Sequence, residues 1–102
     1  MAILLDPENN ETAALFEIAS DLDGAHVLEI GCGDGRLTWL YAHRAAHVTG
    51  IDPDGSRIER AMAGAPLELR SRLAFHTASL EEYYASRPPT DRFDLAILSW
   101  SL

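Results

Sequence analysis

The stretch VLEIGCGDGRLT, from Val27 to Thr38, places three glycines at alternate positions directly behind an apolar run. A strand that turns sharply into a helix needs residues without a Cβ constraint, and bare backbone also lets a ligand approach closely. Acidic side chains stand beside and within the turn, at Glu29 and Asp34. Negative charge there is unfavourable for a pyrophosphate group and favours a ligand that carries a positive amino group or sulfonium.

A further acid, Asp52, ends the next apolar segment, about 20 positions after Gly31. That separation is close to the roughly 20 residues expected for an acid that accepts hydrogen bonds from ribose hydroxyls. Dinucleotide sites typically have Gly-x-Gly-x-x-Gly, whereas this chain has Gly-x-Gly-x-Gly. The joint pattern therefore predicts a cationic nucleoside cofactor rather than NAD. The alternative interpretation is purely structural: the glycines form a tight turn and Asp52 caps a helix, and no ligand binds.

Apolar segments alternate with helix-like segments along the chain, which predicts an α/β fold with a parallel sheet covered on both faces. The predicted strands are Ala25–Gly31, His47–Asp52, Leu73–Ala78 and Phe93–Trp100. The predicted helices run from Asp6 to Asp23, Arg36 to Arg44, Asp54 to Ala63 and Leu80 to Arg87, with a helical turn at Leu67–Arg72 and a loop at Pro88-Pro89.

Composition limits the function classes. The 102 residues fit one domain, 1–102, and the net charge of −8 argues against this segment binding nucleic acid by itself. No apolar run reaches the roughly 18 residues of a membrane span, so we expect no membrane partner and a cytoplasmic location. The single cysteine excludes an internal disulfide, and the four histidines show no metal-like spacing, so no metal is predicted.

Four stretches in order, VLEIGCGDGRLT, VTGIDPD, FHTASLEEY and FDLAILSWSL, resemble successive motifs of class I S-adenosylmethionine-dependent methyltransferases. The resemblance covers roughly Ala25 to Leu102. It implies a Rossmann-like three-layer sandwich in which the four predicted strands take the order 3-2-1-4. It also implies S-adenosylmethionine as the cofactor and S-adenosylhomocysteine as the product.

The same resemblance implies roles for individual residues. Glu29 would hold the amino group of the methionine end, directly or through a water, and Asp52 would accept hydrogen bonds from both ribose hydroxyls. The loop backbone would follow the methionine and ribose, and Pro53 would lie near the adenine. The cofactor-binding residues implied in this way are Glu29, Gly31, Cys32, Gly33, Gly35, Asp52, Pro53, Ser79, Leu80 and Ser99.

Ser79 departs from the family pattern, in which an aspartate often accepts a hydrogen bond from the adenine amino group. A serine oxygen accepts such a bond without charge assistance. Ser79 is also placed to cap the following helix, with Glu82 as its partner three residues on, and the two roles are compatible. Ser99, Trp100 and Ser101 fall where methyl group and acceptor meet in the family. No catalytic residue or acceptor can be named.

The resemblance implies later strands that this sequence does not supply, so domain 1–102 is expected to be incomplete. The fourth strand would then be an apolar edge over Leu95–Leu98, open to pairing with a second copy or a completing chain. Two alternatives stand beside a methyltransferase. One is a non-catalytic S-adenosylmethionine-binding or dimerisation module, and the other is half of a nicotinamide-dependent oxidoreductase.

Overall fold

The computed structural model describes residues 2–5, 22–86 and 93–99. Its strands form one sheet, with all neighbours parallel, in the order β1-β5-β2-β3-β4. The strands are β1 (Ala2–Leu5), β2 (His26–Ile30), β3 (His47–Asp52), β4 (Leu73–Thr77) and β5 (Leu95–Ser99). The helices are α1 (Thr38–Tyr41), α2 (Gly55–Gly64) and α3 (Leu80–Ser86), with a 3₁₀ helix at Leu67–Arg72.

The four strands expected from the sequence are β2, β3, β4 and β5. Their order across the sheet is β4-β3-β2-β5, which is the predicted 3-2-1-4 arrangement. Helical segments join β2 to β3, β3 to β4 and β4 to β5, as parallel pairing of neighbouring strands requires. The prediction of an α/β fold with a Rossmann-like parallel sheet is therefore confirmed.

The prediction that the fourth strand is an open edge is wrong. β1 pairs with β5 in parallel, from Ala2 opposite Ala96 to Leu5 opposite Ser99. The apolar run AILL at the start of the sequence was not assigned to any element, although an apolar strand edge favours such a cover. The outer strands of the described sheet are consequently β1 and β4.

Two apolar clusters lie on opposite faces of the sheet, because neighbouring residues of a strand point to opposite sides. One cluster combines Val27, Val48 and Ile97 with residues of the α1 region, including Leu37 and Tyr41. The other combines Leu28 and Ile51 with Tyr83 of α3. The sheet is therefore covered on both faces, as expected for a three-layer sandwich.

One predicted helix is shorter in the structure than the sequence indicates. The segment predicted as helix from Arg36 to Arg44 keeps α-helical geometry only over α1, Thr38–Tyr41. Tight turns follow, in which the amide of Arg44 donates to the Tyr41 carbonyl and that of Ala45 to the Ala42 carbonyl. The helix predicted from Asp54 is confirmed, since Asp54 caps α2 through the amides of Ser56 and Arg57. The predicted first helix before residue 22, the Pro88-Pro89 loop, Trp100 and Ser101 lie outside the described residues.

Candidate functional site

The residues predicted to bind a cofactor gather at one edge of the sheet. β2, β3, β4 and β5 run parallel and end at Ile30, Asp52, Thr77 and Ser99. Because parallel strands end on the same side, the loops that follow them lie side by side. Ligands of open α/β sheets bind outside these carboxyl ends. The structure thus places the predicted site residues in or next to one cluster of loops.

The loop after β2, residues 31–35, is called here the glycine loop. Gly31, Gly33 and Gly35 all have positive φ angles, of 78°, 58° and 90°. Residues with a Cβ rarely adopt this left-handed backbone, so all three alternate glycines are required by the path of the chain. The amides of Gly31 and Cys32 both donate to the Ile51 carbonyl, at 2.8 and 3.1 Å, which ties the loop to the end of β3.

Asp52 joins the glycine loop to the segment after β3. Its Oδ2 accepts a hydrogen bond from the amide of Gly33 at 3.0 Å, and its Oδ1 accepts one from the amide of Asp54 at 2.8 Å. The two backbone donors hold both carboxylate oxygens in place. Each oxygen of an ionised carboxylate accepts more than one bond, so Asp52 retains capacity for two ribose hydroxyls. Asp52 as a residue is 7% exposed, so it lies largely out of bulk water.

Cys32 fills the space between the glycine loop and the sheet. Its side chain is buried, and its Sγ packs so close to Gly50, beside the ring of Phe75, that a Cβ on Gly50 would come within 2.9 Å of it. Burial raises the pKa of the Cys32 thiol well above its usual range, and the carboxylates of Glu29 and Asp52 raise it further. The thiol therefore serves packing. The nearby acids give the loop a negative electrostatic potential.

Glu29, expected to hold the methionine end of the cofactor directly or through a water, has hydrogen-bond partners within the chain. The side chain is fully buried and lies on the sheet face that α1 covers. Its Oε1 accepts hydrogen bonds from Thr38 Oγ1 at 2.7 Å and from the Tyr41 hydroxyl at 2.5 Å. Burial and the adjacent Glu29 charge raise the pKa of Tyr41 far above its ordinary value. Contact of Glu29 with the methionine amino group, directly or through a water, stays a prediction.

Thr38 and Tyr41 are not among the candidate residues that the sequence indicates. A signal was available, since residues three apart lie on the same face of a helix. Strand alternation also places Glu29 on the same face as Val27, which is a core position. A carboxylate on a buried face needs hydrogen-bond donors from whatever packs against it.

The residues after β4 show the capping arrangement that the sequence suggested for Ser79. The Ser79 amide donates to Glu82 Oε1 at 2.9 Å, and the Glu82 amide donates to Ser79 Oγ at 3.2 Å. These reciprocal bonds form a capping box at the start of α3. The amide of Ala78 donates to the Asp52 carbonyl at 3.0 Å, which brings this turn beside the β3 loop. An adenine-binding role for Ser79 and Leu80 stays a prediction.

The charge and shape of these loops fit an adenosyl sulfonium compound. Glu29, Asp34 and Asp52 each raise the pKa of the Cys32 thiol, so their negative charge acts on the loop from several directions. The left-handed glycines leave bare backbone for close approach, and Asp52 supplies oriented oxygens for a ribose diol. Pro53 and Ser79 border the Asp52 side of the cluster, while Ser99 borders the Gly31 side.

Two other kinds of feature are absent from the described residues 2–5, 22–86 and 93–99. No group of three or more His, Cys, Asp or Glu side chains there could hold a metal ion. In the same part of the chain, no helix is both long enough and apolar enough to cross a bilayer.

Comparison with known proteins gives a consistent family. A family described as a methyltransferase domain matches residues 27–102. Magnesium-protoporphyrin O-methyltransferase of Rhodobacter capsulatus is 32% identical over 88 residues, which cover 86% of this chain and 37% of that protein. Ubiquinone biosynthesis O-methyltransferase of Alkalilimnicola ehrlichii is 38% identical over 73 residues, which cover 72% of this chain and 28% of that protein.

Among solved structures, an S-adenosylmethionine-dependent methyltransferase from Mesorhizobium loti is similar, with a TM-score of 0.69 and 28% identity. The match covers 92% of this chain and 41% of the other chain. This chain thus spans well under half the length of each of these three relatives.

Proposed function

Because the chain belongs to the methyltransferase domain family, we propose that it binds S-adenosylmethionine on its glycine loop and contributes the cofactor-binding part of a methyltransferase. Membership confirms the resemblance to class I S-adenosylmethionine-dependent methyltransferases stated from the sequence motifs. The observation that carries the proposal is the hydrogen bond between the Gly33 amide and Asp52, because it joins the two segments that must act on one ligand.

The site residues act by position and charge in this proposal. Asp52, held by two backbone amides, accepts the ribose hydroxyls. The backbone of Gly31, Cys32, Gly33 and Gly35 lies along the methionine and ribose, and Pro53, Ser79 and Leu80 surround the adenine. Ser99 lies next to Gly31, at the place where the methyl group would face an acceptor.

The bound cofactor would supply a methyl group already attached to a good leaving group, the sulfonium. The chain's own contribution is to fix the ligand in one orientation, from which much of the rate of a two-substrate reaction can come. The negative electrostatic potential at the glycine loop would favour a cationic ligand over an anionic one. This electrostatic preference supports the adenosyl ligand over the nicotinamide alternative.

We further propose an oxygen acceptor. The relatives from R. capsulatus and A. ehrlichii are both named O-methyltransferases, which supports this choice. Residues that would bind the acceptor are not identified in this chain. A single S-adenosylmethionine-binding domain over residues 1–102 and a cytoplasmic location belong to the same proposal.

We also propose pairing with a second copy of the chain or with a completing chain, but through a different strand from the one that the sequence indicated. The fourth strand cannot offer a free edge, because β1 occupies it. Pairing with a second copy or another chain would use β1 or β4, the outer strands of the described sheet. Light scattering over a concentration series tests this, and a mass equal to one chain at every concentration contradicts the dimer.

Calorimetric titration tests the proposed ligand. S-adenosylhomocysteine should bind with a stoichiometry of one, and NAD should give no heat of binding. Binding of NAD without any response to S-adenosylhomocysteine would instead support the oxidoreductase alternative. Turnover of labelled S-adenosylmethionine with a phenol or alcohol acceptor separates an enzyme from a non-catalytic binding module.

A further inference from the structure

Glu29, Thr38 and Tyr41 form a buried group that we call the carboxylate–hydroxyl cluster. The exposed fractions of the three residues are 0%, 0% and 1%. Both hydroxyl groups donate to the same carboxylate oxygen, at 2.7 Å from Thr38 and 2.5 Å from Tyr41. Hydrogen bonds to a charged oxygen are shorter and stronger than those between neutral groups, and burial strengthens them further.

The cluster links the two chain segments that flank the glycine loop. Glu29 lies in β2 just before the loop, and Thr38 and Tyr41 are the first and last residues of α1, just after it. The two hydrogen bonds therefore fix α1 against the end of β2. Movement of the helix would break bonds to a buried carboxylate, which is costly because the charge would lose its donors.

We infer that Glu29 is a positioning residue, which holds the glycine loop in its ligand-binding path by anchoring α1 through Thr38 and Tyr41. The inference rests on the proposed cofactor site. A loop that is already ordered loses less conformational entropy when a ligand binds, so anchoring tightens binding without any contact between Glu29 and the ligand.

This role can be separated from direct binding of the methionine amino group by Glu29. Direct contact requires the charge, so Glu29→Gln would weaken binding strongly while Tyr41→Phe would not. Anchoring requires the hydroxyl donors and an oxygen acceptor, so Tyr41→Phe and Thr38→Val weaken binding. Glu29→Gln keeps an oxygen that accepts both bonds but places an amide NH₂ at the buried Oε2 position, so it should weaken binding no more than Tyr41→Phe and Thr38→Val do.

The first measurement is the dissociation constant of S-adenosylhomocysteine by calorimetry, with the full chain and at a temperature where circular dichroism shows every variant to be folded. Under these conditions a loss of global stability leaves the constant unchanged. We expect Tyr41→Phe and Thr38→Val each to raise the dissociation constant of S-adenosylhomocysteine about fivefold to tenfold. Tyr83→Phe is the matched control, since Tyr83 is also buried but packs on the opposite face of the sheet, and it should change the constant less than twofold.

The second measurement needs no ligand. The amides of Gly33 and Gly35 bond to Asp52 Oδ2 and to the Cys32 carbonyl, so their hydrogen exchange reports the order of the loop. Tyr41→Phe should accelerate both exchange rates about tenfold, and Tyr83→Phe should leave them unchanged. If the unmodified chain binds no S-adenosylhomocysteine, the proposed function fails while exchange still decides the anchoring. Unchanged exchange in both Tyr41→Phe and Thr38→Val, or a strong loss of affinity in Glu29→Gln alone, overturns the inference.

Discussion

The backbone of Gly31 lies directly against the carbonyl oxygen of Ser99, and a Cβ on Gly31 would overlap that oxygen. The contact joins the start of the glycine loop to the end of β5. The Gly31 amide meanwhile donates to the Ile51 carbonyl at the end of β3. Gly31 is thus held between the two strands that flank β2, and the direction in which the loop leaves the sheet is set by both neighbours.

Gly31→Ala is expected to destabilise the chain by two additive effects. The positive φ of 78° strains any residue with a Cβ, at a cost of about 1–2 kcal/mol, and the overlap with Ser99 adds a displacement of β5. Gly24→Ala is the matched control, because Gly24 has a similar φ of 71° with nothing within 4 Å of an added Cβ. In urea denaturation, Gly31→Ala should lose at least about 1 kcal/mol more unfolding free energy than Gly24→Ala. Equal losses of unfolding free energy in the two variants would show that Ser99 moves away from the added Cβ at little cost.

The sequence predicted the part of the site that depends on local backbone chemistry. Alternate glycines at a strand-to-helix turn indicated a bare backbone open to a ligand, and the acid at the end of the second strand was expected to bind the ribose of the same ligand. The structure brings Gly33 and Asp52 together by a hydrogen bond of 3.0 Å. Both patterns involve neighbouring strands, so their proximity follows from strand order alone.

Asp52→Ala is expected to weaken binding of S-adenosylhomocysteine. The variant removes an oriented charged acceptor from the ribose hydroxyls, and the amides of Gly33 and Asp54 lose their acceptor too. The binding free energy should therefore weaken by roughly 1.5–3 kcal/mol. Asp94→Ala is the matched control. Asp94 accepts a bond from the His26 amide at 2.9 Å, but it lies at the amino ends of the strands, far from the loops. Titration calorimetry should show weaker binding for the first variant only, and equal affinities would remove Asp52 from the site.

What the sequence could not predict depends on contacts between distant segments. Strand periodicity places Glu29 on a buried face but does not reveal which donors reach it from α1. The pairing of β1 with β5 joins residues more than 90 positions apart, and nothing local in AILL specifies that partner. The assumption that the fourth strand ended the sheet failed because the covering strand came from the other end of the chain.

The Cys32 thiol is expected to be unreactive in the native protein. Burial and the nearby carboxylates raise its pKa well above the usual range, and only the thiolate reacts with disulfide reagents. An aromatic disulfide reagent at pH 8 should therefore modify none of the folded protein and one thiol per chain in urea, since the sequence has a single cysteine. Modification of the folded chain at the rate of a free thiol would show that the packing against Gly50 opens readily.

The capping box of α3 should make stability depend on pH in a predictable direction. Hydrogen bonds from the amide and hydroxyl of Ser79 lower the pKa of Glu82 below its ordinary value of 4.5. A group whose pKa is lower in the folded state stabilises that state most at a pH above its unfolded pKa. The contribution of Glu82 is therefore complete above about pH 4.5, and it is lost as pH falls through the lower folded value.

Glu82→Gln removes this titration while keeping an oxygen that can accept from the Ser79 amide. The unmodified chain should be the more stable of the two at pH 6, and the difference should shrink towards pH 3, because below about pH 4.5 the unfolded chain binds the proton that the lowered folded pKa of Glu82 disfavours. Glu81→Gln is the matched control, because it removes the same charge one residue earlier on α3, whereas the reciprocal bonds with Ser79 are made by Glu82. Urea midpoints for the three proteins at pH 3 and pH 6 measure the effect. A difference that grows on acidification would mean that Glu82 binds its proton more tightly in the folded chain, opposite to what the capping box requires.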